Sequence, residues 1–151
     1  MSAIDPAAVF ELHIARSNLI DAYNDADLAV RARLKAQGGT EKGLIGDNLQ
    51  ALEKVQPGPQ YAKNEKKRID DMIAELRELQ KVRCDVVHSR MQSIVVDGMP
   101  CALFANVQKC VSVGRRGLIL SREELKVCTA RLETIAKQVA RTPLPPVVTE
   151  K

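Results

Sequence analysis

The chain has 151 residues, a length that fits a single domain with enough material to bury a core without disulfides or a structural metal. Apolar residues make up 45% and aromatics only 3%, with no Trp, two Tyr and two Phe, so the core falls to Leu, Ile, Val, Ala and Met, which favours helices. Net charge is +4, too modest to mark a dedicated nucleic-acid binder, and the four cysteines and two histidines are too scattered for a zinc site.

In chain order, Asp5 and Pro6 supply an N-cap and a first-turn proline, and the following run has few breakers until Gly38-Gly39. This predicts a long first helix to about Ala36, with His13 on its surface or edge. The N-terminal stretch lacks the basic segment and apolar run of a signal peptide, and nothing approaches the roughly 18 apolar residues of a membrane span. A reduced cytoplasm is therefore expected, with no membrane partner.

Ile45, Leu49, Leu52 and Val55 recur at helical spacing and predict a short second helix, ended by QPGPQ. A third is expected from Tyr61 to Met91, where Ile69, Met72, Ile73, Leu76 and Leu79 form an apolar stripe that Arg83 continues. From Ser93 the pattern changes to short β-branched or apolar runs. SIVV-DGMP-CALFANV reads as a hairpin around Asp97-Gly98, and CVSV-GRRG-LIL as a second of the same form. Ser121 and Glu124 then make a capping box for a fourth helix, with Leu125, Cys128, Leu132, Ile135, Ala136 and Val139 on one face. Residues 142–151 are proline-rich and read as a flexible tail. The expected domain is thus 1–141, mainly α, with a strand insert at about 93–120 between the third and fourth helices.

Charge is uneven along this order: residues 1–59 carry 6 basic and 8 acidic side chains, and residues 109–141 carry 8 and 3. A basic C-terminal third suits a polyanion or an acidic partner, and equally a solvated helix face.

The segment RCDVVHSRM, Arg83 to Met91, poses the functional question. A guanidinium on an apolar stripe is costly to bury unless it is paired. The structural explanation is an ion pair with Asp85 or Asp21; the functional one is convergence on a ligand. On a continuous helix Arg83 and His88 lie about 140° apart, with Arg83 and Arg90 on the stripe and His88 on its flank beside Met91, so the three border a groove. No glycine-rich phosphate loop, H-E-x-x-H or G-x-S-x-G is present.

The run Arg83-Cys84-Asp85-Val86-Val87-His88, near the end of a long third helix with two helices before it and one after, resembles the Arg-x4-His signature of the HEPN superfamily, over residues 6 to 141. The resemblance implies a four-helix up-and-down bundle carrying the strand insert as an addition. It also implies a metal-independent ribonuclease without cofactors, acting as a homodimer in which the two motifs meet, in the manner of a toxin or stress effector with an antitoxin or other protein partner. His88 would then be the general acid or base and Arg83 the phosphate-binding residue, with Arg90, Arg115 and Arg116 on flanking phosphates of the RNA. Two departures stand out: Cys84 follows the arginine where many members carry Asn, Asp or His, and Arg90 occupies the place of a tyrosine that is modified in one toxin branch. The alternative is a non-catalytic HEPN-like binding or interaction module, with Arg83 and His88 fixing helix packing. Arg90 has a plain structural alternative as a helix-end cation, and Arg115 and Arg116 as solubilising turn residues.

Overall fold

The computed structural model describes residues 3–56, 63–106 and 117–141. In chain order the elements are α1 (Pro6–Ala36), α2 (Ile45–Glu53), α3 (Lys63–His88), β1 (Ser89–Val96), β2 (Met99–Asn106), β3 (Gly117–Ser121) and α4 (Arg122–Arg141). The protein is mainly helical, with a three-stranded antiparallel sheet between α3 and α4. The described residues divide into two compact units, one drawn from Met1–Tyr23 and Leu79–Leu132, the other from Asn24–Glu78 and Glu133–Lys151.

The second unit is helical and is closed by side chains that take up loose backbone groups. Helix α1 ends where Gly38 adopts φ +80°, which lets the Gly39 N–H reach back to the Leu34 carbonyl at 2.9 Å and the Gly38 N–H to that of Lys35 at 3.1 Å. The buried Asn48 amide on α2 then brackets Lys42, accepting from its N–H at 2.7 Å and donating to its carbonyl at 2.9 Å. Arg31 reaches the Lys42 and Gly43 carbonyls from α1. The loop between α1 and α2 is thereby pinned from both sides. Leu34, Leu49, Leu52, Ile69, Ile73 and Leu76 are fully buried and form the apolar filling. Arg33, also buried, donates to the Val139 carbonyl in the last turn of α4.

In the first unit, Asp5 caps α1 by accepting from the Ala7 N–H at 3.0 Å, as the Asp-Pro pair implied. The capping box of α4 is formed: the Ser121 N–H donates to Glu124 Oε2 at 2.7 Å, and the Glu124 N–H to Ser121 Oγ at 3.2 Å. Strands β1 and β2 pair one-to-one from Ser89↔Asn106 to Val96↔Met99, which leaves Asp97-Gly98 as a two-residue turn. Their φ values of 49° and 79° are the left-handed conformation that such a turn requires and that Asp-Gly accepts cheaply.

Two boundaries differ from the sequence reading. Helix α3 stops at His88, three residues short of Met91, and β1 begins at Ser89 instead of Ser93. The stretch Ser89-Arg90-Met91-Gln92 alternates buried, exposed, half-buried, exposed, a period of two. Starting β1 at Ser89 matches it in length to β2 and completes the ladder. Strand β3 pairs with β2, from Cys101↔Ser121 to Ala105↔Gly117, a pairing the sequence reading does not include; it expects a partner for β3 in a second hairpin. That partner (Cys110 to Val113), Tyr61 at the expected start of α3, Arg115, Arg116 and residues 142–151 lie outside the described residues.

Candidate functional site

Helix α3 carries its apolar stripe through Ile69, Met72, Ile73, Leu76 and Leu79 as the spacing implied, and all five are buried. The next position on the stripe is Arg83, which is half-buried. Its Cζ lies 5.0 Å from the centroid of the Tyr23 ring, and Tyr23 is itself buried on α1. An electron-rich ring face stabilises a cation without consuming its N–H donors. The Arg83 Nε is shut away from solvent with no hydrogen-bond partner, whereas its two terminal nitrogens are not closed off in this way. Asp85 is buried two residues further along α3, and Asp21 faces solvent on α1. The cation therefore sits at the edge of the core, supported by an aromatic ring.

His88 is the last residue of α3 and is exposed. Its imidazole makes no hydrogen bond or ion pair among the described residues, so both ring nitrogens are open to a ligand. Between Arg83 and His88 the helix rises about 7.5 Å. A helix end would ordinarily repel an anion, since its last carbonyls carry partial negative charge. Here Arg16 takes one of them: its Nε and Nη2 donate to the Val86 carbonyl at 3.3 and 3.0 Å. Arg16 thus adds a third cationic group where α3 ends, reached across 70 residues of sequence.

Arg90 does not share the helix. Because α3 ends at His88, Arg90 projects from β1 on the face of the sheet opposite the buried Ser89 and Phe104, and it is exposed. The expected groove of Arg83, Arg90 and His88 on one rod is therefore corrected: Arg83 and His88 share α3, and Arg90 belongs to the sheet. His13 is exposed on α1, as its position implied.

Other chemistry is thin. Among the described residues no three His, Cys, Asp or Glu side chains cluster as a metal site would need, and no helix is long and apolar enough to cross a membrane. Burial pushes the half-buried Cys128 thiol up, opposed by Arg131 and reinforced by Glu124, so it is not primed as a thiolate nucleophile.

The sequence reading singles out Arg83 and His88 as candidates and does not single out Arg16 or Tyr23, which the structure brings against the same segment of α3. Nothing local distinguishes either: each lies in the middle of a long helix, and its role exists only once α1 packs on α3. No protein-family model, no curated protein and no solved structure matches the chain.

Proposed function

We propose that the protein is a metal-independent RNA endonuclease of HEPN type, acting as a homodimer of four-helix bundles in which Arg83 binds the scissile phosphate and His88 transfers protons. One observation carries the reading: Arg83 continues a core-facing stripe, half-buried, with its guanidinium over the Tyr23 ring. A guanidinium supported by a ring face keeps its positive charge and suits an anionic ligand.

The chemistry follows from the groups present. An imidazole removes the proton of a ribose 2′-hydroxyl, whose oxygen attacks the adjacent phosphorus. The bond from phosphorus to the 5′-oxygen breaks, and that oxygen takes a proton from a second imidazole. The products are a 2′,3′-cyclic phosphate and a 5′-hydroxyl. Arg83 stabilises the added charge on the phosphoryl oxygens by parallel N–H donation. Histidine changes charge near neutral pH and serves in either direction. One chain offers one such imidazole at the end of α3, and a two-fold related copy supplies the other.

The test is incubation of the purified protein with single-stranded and structured RNA in EDTA. The expected result is cleavage leaving 2′,3′-cyclic phosphate ends, lost by at least about 100-fold in His88→Ala and Arg83→Ala. Arg83→Lys keeps the positive charge, so a folded but inactive Arg83→Lys supports the role of the planar fork. Undiminished cleavage in the variants, or none by the wild-type protein, overturns the reading. The alternative, a non-catalytic binding module, predicts RNA retention without cleavage.

A further inference from the structure

The three-stranded sheet has two unlike faces. Register places Ser89, Met91, Ala102, Phe104, Leu118 and Leu120 on one side, where Ser89, Ala102 and Phe104 are buried. The other side carries four cross-strand rows: Arg90–Ala105–Gly117, Gln92–Leu103–Ile119, Ile94–Cys101–Ser121, and Val96–Met99 beside the turn. Among the described residues it is the less covered of the two, with Met99 57%, Ile119 48% and Val96 36% exposed, although Cys101 at its middle is buried; on the opposite side Val95 is 47% exposed. Exposed apolar side chains grouped on one face in this way mark a contact site.

Charge on this face has a particular order. Arg90 stands at one end of β1 and Asp97 in the turn at the other, about 23 Å apart at ~3.3 Å per residue. Both are exposed, and neither forms an ion pair among the described residues. Everything between them on the face is apolar or uncharged. A surface that is positive at one end, apolar in the middle and negative at the other is complementary to itself under a two-fold rotation.

We infer that this sheet face is an isologous interface between two copies of the chain. Two such faces pack at roughly 10 Å, with their strands within about 30° of alignment. If the two-fold axis lies in the plane between the sheets and runs across the strands, β1 covers β1 of the partner in the opposite direction. Arg90 of each copy then lies over Asp97 of the partner subunit, and the apolar rows meet in the middle. An axis along the strands instead sets Arg90 over Gly117 of the partner subunit, leaving both charges unmatched. The charge order therefore selects the first arrangement. This pairing keeps the two α3 ends far apart, so it is separate from the contact that a shared nuclease groove needs; the two together give a tetramer with two perpendicular two-fold axes. It depends in no way on the nuclease reading.

The experiment is sedimentation equilibrium on the full chain, with circular dichroism to verify folding of each variant. Wild-type protein is expected to associate at micromolar concentration. Ile119→Asp, on the edge strand β3 of this face, is expected to weaken that association at least 100-fold. Arg90→Glu alone and Asp97→Lys alone each set like charges against one another in a homodimer and weaken association about tenfold. Mixing these two single variants is expected to restore it, because every altered charge in the mixed dimer meets its opposite. Association of wild-type protein that survives Ile119→Asp unchanged overturns the inference, as does a wild-type monomer at 100-fold higher concentration. Failure of the mixed variants to associate more tightly than either alone overturns the proposed orientation and with it the charge argument.

Discussion

Arg83 and Tyr23 form the contact on which the site depends. The ring holds the guanidinium at the edge of the core without taking up its N–H donors. Tyr23→Leu is therefore expected to remove the support, costing stability through the lost contact and the space left behind. It should also lower RNA cleavage while His88 is untouched, which a melting curve and a cleavage assay on the same preparation will check. Arg83→Ala should cost at most about 2 kcal/mol of stability, because the lost cation–π contact is partly exposed, yet abolish cleavage. Cys128 supplies a pH test. Its folded thiol is raised above the ordinary value by burial, so the folded state favours the protonated form. That contribution is fully present below the unfolded thiol's pKa and disappears as pH rises through the folded one. The melting temperature should accordingly fall as the solution is made alkaline, and the fall should be smaller in Cys128→Val.

At the scale of elements, the local signals with a defined geometry agree with the structure residue by residue. Asp5 caps α1, Gly38 ends it, Asp97-Gly98 turns the hairpin, and Ser121 with Glu124 opens α4. Each is decided by groups within a few residues of one another, so the sequence contains all the participants. Two stability predictions belong here. Ser121→Ala should cost about 1 kcal/mol in chemical denaturation by leaving an N-terminal amide of α4 unmatched. Gly98→Ala should cost more than about 1 kcal/mol, since φ of 79° is accessible to glycine and strained for alanine. The junction after His88 was not legible. Ser89-Arg90-Met91-Gln92 can continue a helical stripe or begin an alternating strand, and the choice is made by the length of β2, which offers partners as far as Asn106. This one boundary moved Arg90 from the expected groove to the open sheet face.

Across the whole molecule the net charge is +4, and the proposed RNA contact would make binding depend on salt. Contact with two or three phosphates of a single strand should make RNA affinity fall roughly tenfold between 50 and 200 mM salt, which filter binding of the catalytically silent His88→Ala will read. A flat salt response would remove the phosphate contacts from the account. By itself the sequence determined the helices, their caps, the hairpin turn and the apolar stripe of α3, because periodicity and capping are properties of neighbouring residues. It also set an arginine on that stripe. Only the tertiary structure decided what meets that arginine and where α3 ends. The Tyr23 ring against Arg83, Arg16 on the Val86 carbonyl and β2 alongside Ser89 are all contacts between segments far apart in the chain. Which distant side chain fills a given space depends on how helices and strands pack, and no local pattern encodes it.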